Sequence, residues 1–293
     1  MTNTETISHS TTFTLGGDLP LRRIGYGTMR LADGPQSPGG ADAPIWTAPT
    51  DRAAALAVLR RAVELGVNLI DTADAYALGA GEELIAEALH PYRDEVVVST
   101  KVGIVRPSPT EWVPLGNPAY LRQQAELSLR RLRTDRIDLL HLHRLDPAYP
   151  IADQVGALAQ LQQEGKVRHI GLSEVTVDQL TEARRVAPIA AVQNLYNLAT
   201  RDHDAVIDYT ATHDIAFLPF FPATLGDTAS TVAAVATELG ATPTQTALTW
   251  LLHRSPNVIP IPGTTSPTHL AENVAASALR LTDAQFTRLT AAT

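Results

Sequence analysis

Residues 66–76 read GVNLIDTADAY, and this stretch decides the fold. Its segment Asn68–Asp71 is a short apolar run that ends in a carboxylate, which is typical of a strand covered on both faces. Helical stretches are predicted on either side of it, at Arg52–Leu65 and Gly81–His90. A strand between two helices is the repeating unit of a parallel α/β sheet.

The same alternation extends in both directions along the chain. Further strands are predicted at Arg22–Gly27, Glu95–Lys101, Ile137–His143, His169–Ser173, Ala191–Leu195, Ile215–Phe220 and Asn257–Ile261. Further helices are predicted at Pro118–Leu132, Ile151–Glu164, Thr176–Val186, Arg201–His213, Ala229–Leu239 and Thr282–Ala291. Eight strand–helix units in one chain of 293 residues favour a closed (β/α)8 TIM barrel over an open doubly wound sheet, and no GxGxxG motif follows the first strand.

Additions to this barrel are predicted at both ends of the chain. An N-terminal β-hairpin is expected from Thr11–Leu15 and Leu19–Leu21. Two extra helices are expected at Thr242–Arg254 and Pro267–Ser277. We expect residues 1–10 to be a flexible tail and residues 11–293 to form a single barrel domain.

Composition and charge exclude several classes of protein. Apolar residues make up 44% of the chain and charged residues 18%, which is typical of a globular domain. The net charge of −8 disfavours a nucleic-acid partner that is bound through its phosphates. The absence of cysteine excludes thiol catalysis, disulfides and cysteine-ligated metals. No apolar run approaches the roughly 18 residues of a membrane helix, and Met1–Ser10 has no apolar signal segment, so a cytoplasmic location is expected.

Lysine is rare, since only Lys101 and Lys166 occur among the 23 basic residues. A lysine ammonium is a compact charge with a pKa that can shift, whereas the guanidinium of arginine stays charged. A catalytic site can require the first property, so we expect a lysine close to other reactive groups to have a specific role. Lys101 ends a predicted strand and fits this expectation, whereas Lys166 follows a predicted helix and is interpreted as structural.

Reactive side chains close three neighbouring strands of the predicted barrel. Asp71, Lys101 and His143 end the second, third and fourth strands, and Tyr76 lies five residues past Asp71. Active sites of TIM barrels lie at this C-terminal end of the strands. A phenol with a pKa of about 10 becomes a better acid beside an ammonium, so Tyr76 is predicted to donate a proton with Lys101 as its neighbour. Asp71 would hold Lys101 in place, and His143 would orient a substrate oxygen.

Other interpretations of the same residues remain open. Alternation places His141 and His143 on the same side of their strand, so one of them can simply fill the barrel interior. Both imidazoles together with Asp71 could ligate zinc, although no metal is our expectation. Lys101 could instead form a Schiff base in a barrel lyase or aldolase.

Seven stretches, taken together, resemble the aldo-keto reductase family over nearly the whole chain. They are residues 23–29, 66–76, 99–103, 137–144, 165–173, 192–197 and 259–265, followed by Glu272-Asn273. The resemblance implies a catalytic tetrad of Asp71, Tyr76, Lys101 and His143. It also implies reduction of an aldehyde or ketone to the alcohol, with hydride from nicotinamide C4 and a proton from Tyr76.

The resemblance further implies the residues that bind the nicotinamide cofactor. Those matching positions near the nicotinamide are Thr28, Met29, Ser173, Gln193 and Phe220, and those matching positions near the phosphates and adenine are Gly263, Thr264, Thr265, His269, Glu272 and Asn273. Glu174 departs from the family, which commonly has Asn beside the serine that contacts the carboxamide. The arginine that many relatives carry is absent at Thr265, yet the family favours NADPH, with NADH possible.

The substrate is predicted to be a small carbonyl compound bound in an apolar pocket. Trp46, Trp112 and Phe221 are its expected wall, because the long loops Ala32–Pro49 and Ile104–Asn117 follow strands and reach the mouth of the barrel. Residues 219–222 and 250–257 resemble the bacterial pyridoxal reductase-like branch, which implies a pyridoxal-type aldehyde. A nicotinamide-binding regulatory subunit with slow turnover is the alternative outside the enzyme class.

Overall fold

The computed structural model describes residues 11–33 and 45–292. The predicted tail, residues 1–10, and residues 34–44 of the loop Ala32–Pro49 lie outside the described residues. Within those residues, no helix is long and apolar enough to cross a membrane.

The strands and helices alternate as the sequence predicts. The strands are β1 (Thr12–Leu15), β2 (Leu19–Arg22), β3 (Tyr26–Gly27), β4 (Leu69–Asp71), β5 (Val97–Val102), β6 (Ile104–Val105), β7 (Val113–Pro114), β8 (Ile137–Leu142), β9 (Val167–Ser173), β10 (Ile189–Gln193) and β11 (Ala216–Phe217). The α-helices are α1 (Arg52–Glu64), α2 (Ala80–Leu89), α3 (Pro118–Leu132), α4 (Ile151–Gln163), α5 (Val177–Ala183), α6 (Asp204–Ala211), α7 (Ala229–Leu239), α8 (Pro243–Arg254), α9 (Pro267–Ala275) and α10 (Asp283–Ala291).

Seven of the strands form one curled parallel sheet with helices on its outside. Their order in the sheet is β11-β10-β9-β8-β5-β4-β3. Parallel neighbours require a crossover connection, and the helices between them supply it. The predicted (β/α)8 fold is confirmed, since seven parallel strands curl into one sheet and helices connect them on its outer side.

The eighth position of the barrel is filled by the predicted strand Asn257–Ile261, which forms only isolated pairing. Phe217 of β11 exchanges hydrogen bonds with this segment on both sides, at 2.9 and 2.8 Å. On the other side of this segment, just before β3, Gly25 N donates to Pro260 O at 3.0 Å. A proline has no N–H with which to return such a bond. The barrel therefore closes through an irregular segment, since prolines interrupt a regular ladder.

Side chains alternate between the barrel interior and the helices along each strand. Leu69 of β4 and Leu139 of β8 lie in an interior cluster that also contains Leu15 and Leu21 of the hairpin. The next residue on each of these two strands packs outward in the larger cluster between sheet and helices. The hairpin packs on interior residues at the start of the strands, and the C-terminal ends are left open for the site.

Candidate active site

A cavity of about 800 Å³ lies at the C-terminal ends of the strands, where a TIM barrel carries its site. Most of the residues predicted for catalysis and binding line it. They are Met29, Asp71, Tyr76, Trp112, His143, Ser173, Gln193, Phe220, Phe221, Gly263, Thr264, His269, Glu272 and Asn273. The topology thus brings together side chains that are far apart in the sequence.

Four predicted residues do not line this cavity. Lys101 lies behind Asp71 and is fully buried. Thr28 is buried, and its backbone N–H donates to Asp71 O at 2.9 Å. Thr265 and Trp46 are absent from the cavity wall. Thr265 is exposed, and the centroid of the Trp46 ring stands 5.5 Å from the Arg106 guanidinium carbon.

A buried ion pair lies beneath the cavity. Lys101 Nζ donates to Asp71 Oδ2 at 2.7 Å and to Thr72 O at 2.6 Å. The pair forms because β4 and β5 are parallel neighbours, with Asp71 opposite Ser99, so both side chains enter from one edge. Burial by itself would lower the pKa of Lys101, yet Asp71 and Tyr76 raise it above its ordinary value. The ammonium is therefore fixed and charged.

Tyr76 follows β4 in a short 3-10 turn, Tyr76–Gly79, and its ring lies over the ion pair. Lys101 Nζ stands 5.2 Å from the centroid of the phenol ring. Burial raises the pKa of Tyr76, and the Lys101 ammonium opposes this rise without overcoming it. The phenol is therefore protonated at neutral pH, and it is a less acidic group than the sequence alone led us to expect.

The two imidazoles of β8 have different surroundings. The His143 ring faces the cavity and meets the Tyr76 ring edge-on, with centroids 6.0 Å apart. Burial and then Lys101 hold the pKa of His143 well below its ordinary value, so this imidazole is neutral. His141 points into the barrel, where burial lowers its pKa to about 3, and its ring occupies the space that a Cβ at Gly171 would need. One histidine thus fills the interior, and no group of potential metal ligands is found among residues 11–33 and 45–292.

Ser173 and Gln193, on the cavity wall, offer the hydrogen-bond donor and acceptor that a primary amide requires. Ser173 Oγ accepts a hydrogen bond from Arg144 Nη1 at 2.9 Å, so its own hydrogen is directed elsewhere. Gln193 Nε2 donates to Asp71 Oδ1 at 3.0 Å, and Gln193 Oε1 accepts no hydrogen bond from the described residues, so it is available as an acceptor. A hydroxyl donor beside an amide acceptor fits the carboxamide of a nicotinamide ring.

On the opposite wall of the cavity, at Gly263 and the loop before α9, a ligand can come close to backbone groups. Gly263 lies against β3, and a Cβ there would come within 2.7 Å of Gly27 O, so only glycine fits. Tyr26 Oη donates to Thr264 O at 2.6 Å and fixes this loop. Helix α9 begins directly after Ser266, whose Oγ accepts from His269 N at 3.3 Å. Exposed N–H groups at a helix N-terminus fit a phosphate.

Sequence reasoning missed two arginines that shape the site. Arg106 donates to Ile45 O and Ala75 O, each at 3.3 Å, and its guanidinium carbon lies 3.6 Å from the centroid of the Trp112 ring. It thereby holds Trp112 edge-on to Tyr76, at 6.3 Å between centroids. Arg144 lines the cavity, and only its position directly after His143 could have indicated it.

Comparisons with known proteins agree with this geometry. The sequence profile of the Aldo/keto reductase family matches residues 23–227 and 223–293. Pyridoxine 4-dehydrogenase of Escherichia coli is 45% identical over 284 residues, which cover 94% of this chain and 95% of that protein. An uncharacterised oxidoreductase of Schizosaccharomyces pombe is 43% identical over 277 residues, which cover 93% of this chain and 87% of that protein. An aldo-keto reductase of Klebsiella pneumoniae, solved with NADPH, matches with a TM-score of 0.79 at 28% identity and covers 95% of this chain and 93% of its own.

These findings define the class as a TIM-barrel oxidoreductase that depends on NAD(P). More narrowly, the chain belongs to the aldo/keto reductase family. The family and enzyme class predicted from the sequence are confirmed, and so is the resemblance to the pyridoxal reductase-like branch.

Proposed function

We propose that this protein reduces an aldehyde or ketone to the alcohol with NADPH, and that Tyr76 Oη donates the proton. The observation that carries the proposal is the Lys101–Asp71 ion pair, buried directly beneath Tyr76 at the floor of a large cavity. A charged ammonium at this position stabilises the phenolate that remains after proton transfer. When bound, the reduced nicotinamide supplies the hydride.

Each member of the tetrad has a separate task in this proposal. Asp71 holds the ammonium of Lys101, and Lys101 stabilises the negative charge that develops on Tyr76. Neutral His143 donates a hydrogen bond to the carbonyl oxygen and so aims it at the phenol. Ser173 and Gln193 would hold the carboxamide of the cofactor, and Phe220 would contact its nicotinamide ring.

NADPH rather than NADH is proposed as the working cofactor. Gly263, Thr264, His269, Glu272 and Asn273 line the end of the cavity that would hold the phosphates and adenine. Thr265 is exposed, and together with its neighbours it can still donate to a 2′-phosphate from outside the cavity wall. Family membership and the NADPH in the related Klebsiella pneumoniae structure support this choice.

The substrate is proposed to be a flat aldehyde of the pyridoxal type. Trp112 and Phe221 provide aromatic walls beside Tyr76 and His143. The relative from Escherichia coli is named for a dehydrogenase that acts on pyridoxine. Trp46 stays a predicted substrate contact through its loop, although its ring packs toward Arg106 instead of the cavity.

The two alternatives are less well supported. A Schiff-base nucleophile must be a neutral amine that the substrate carbonyl can reach, whereas Lys101 lies behind the cavity wall, is hydrogen-bonded and is held charged. A regulatory subunit would bind NADPH and turn over slowly, and turnover rates separate it from a reductase. The cytoplasmic location and the division into a tail and one domain stay predictions.

The proposal is tested by following NADPH absorbance with a panel of carbonyl compounds that includes pyridoxal. We expect rapid turnover of at least one aromatic aldehyde, and a kcat/KM that is at least tenfold higher with NADPH than with NADH. Equal kcat/KM values for the two cofactors would contradict the NADPH assignment. NADPH binding without turnover of any aldehyde would favour the regulatory alternative.

The pH dependence follows from the raised pKa of Tyr76. Reduction requires the protonated phenol, which predominates at every pH below its pKa. We therefore expect kcat/KM for reduction to stay level through neutral pH and to fall only above the ordinary phenol value of about 10. Oxidation of the alcohol requires the phenolate and should rise with pH over the same range. A fall in reduction centred near pH 7 would assign the proton to another group.

A further inference from the structure

Arg144 lies directly after β8 on the wall of the cavity and contacts three features of the site. Its Nη1 donates to His143 O at 2.7 Å and to Ser173 Oγ at 2.9 Å. Its guanidinium carbon stands 5.9 Å from the centroid of the Phe220 ring. The guanidinium is thus placed beside the backbone of His143 and next to Ser173 and Phe220, which are predicted to bind the nicotinamide.

Of the three guanidinium nitrogens of Arg144, only Nη1 donates a hydrogen bond to residues 11–33 and 45–292. In the described part of the chain, Nε and Nη2 form no hydrogen bond, and no carboxylate forms an ion pair with the group. Glu174 is the acidic side chain that acts on it, yet Glu174 Oε1 accepts a hydrogen bond from Leu195 N at 2.6 Å. Burial lowers the pKa of Arg144, and Glu174 raises it only in part. A partly desolvated guanidinium without an ion-pair partner favours an anionic ligand.

Arg144 lies away from the part of the cavity wall that fits the phosphates of the cofactor. Gly263 packs against β3, whereas Arg144 follows β8, and β4 and β5 lie between these two strands in the sheet. Arg144 therefore lines the cavity across the mouth of the barrel from Gly263. It lies on the same side as His143, where the carbonyl group would be held.

We infer that Arg144 binds an anionic oxygen group of the substrate, so that the preferred substrates are aldehydes or ketones with a negative charge near the carbonyl. This inference rests on the proposed function and assigns the substrate class for the same site. A planar guanidinium recognises a carboxylate, a phosphate or an ionised phenol through two parallel donors. Such a charged hydrogen bond in a partly desolvated site changes kcat/KM by about 10- to 100-fold.

The test compares 3-formylbenzoate and 4-formylbenzoate with their uncharged methyl esters, with NADPH as the reductant. We expect the wild-type protein to reduce one of the carboxylates with at least tenfold higher kcat/KM than its ester. Arg144→Met should remove this preference, so that the ratio of carboxylate to ester kcat/KM falls to within about threefold of one, whatever its effect on the ester alone. Arg144→Lys keeps a positive charge and should retain part of the preference. NADPH affinity, measured by quenching of protein fluorescence in each variant, separates an effect on the cofactor through Ser173 from an effect on the substrate, because only the second changes the ratio of carboxylate to ester.

Arg30→Met is the matched control, because Arg30 lines the same cavity but its stem lies near Gly263. That variant should keep the ratio of carboxylate to ester. A wild-type ratio near one, or an equal loss for both substrates in Arg144→Met, would overturn the inference and assign Arg144 to the positioning of Ser173 or His143. Failure of the wild-type protein to reduce any of these aldehydes, or pyridoxal, would instead overturn the proposed function and this inference with it.

Discussion

Tyr76→Phe is expected to lower kcat for carbonyl reduction by about 1,000-fold or more while NADPH binds with unchanged affinity. The substitution removes only the phenolic oxygen, which is the group proposed to donate the proton. General acid catalysis contributes about 100- to 10,000-fold, and the loss lies in the upper part of this range because the Lys101 ammonium, 5.2 Å from the ring centroid, then has no phenolate to stabilise. The ring itself remains packed against Trp112 and His143.

The measurement is kcat and kcat/KM with the best aldehyde of the panel, beside NADPH binding by fluorescence. Tyr92→Phe is the matched control, because Tyr92 Oη donates to Leu132 O at 2.7 Å far from the cavity. That variant should retain full activity. Tyr76→Phe with activity close to wild type would remove Tyr76 from the role of acid. A loss of NADPH binding in the variant would show that the phenol shapes the cofactor site instead.

The fold and the centre of the site could be predicted because they depend on local patterns. A short apolar run that ends in a polar residue places that residue at the C-terminal edge of a parallel strand, as with Asp71, Lys101 and His143. Their meeting then follows from the order of the strands. The eighth strand was predicted at the right place but without its irregular pairing, since Pro260 changes only the hydrogen bonds and not the apolar pattern.

The remainder of the site depends on contacts that no local pattern encodes. Arg106 contacts residues from two other loops, and Arg144 meets Ser173 only because β8 and β9 are neighbours. The apolar character of Trp46 and Trp112 is the same in sequence, yet only Trp112 faces the cavity. The pKa of Tyr76 was misjudged because the sequence identifies the nearby ammonium but not the extent of burial, which has the larger effect.

Lys101→Met is expected to weaken both activity and folding. Loss of the ammonium should lower kcat by about 100- to 1,000-fold, because the phenolate of Tyr76 loses its counter-charge. It also leaves the Asp71 carboxylate, with a side chain only 3% exposed, without a cation, and breaking a buried pair in this way costs about 3–5 kcal/mol of unfolding free energy. Urea unfolding followed by circular dichroism measures the second effect, and steady-state kinetics measures the first.

Two further variants separate the contributions to this loss. Lys166→Met changes the only other lysine, which forms surface ion pairs with Glu126 and Glu164, so it should leave stability and activity nearly unchanged. Adding Asp71→Asn to Lys101→Met removes the uncompensated charge, so stability should recover in part while kcat stays low. If kcat recovers together with stability, the ammonium acts on the fold alone. If Lys101→Met unfolds no more easily than Lys166→Met, the buried pair does not contribute to stability as expected.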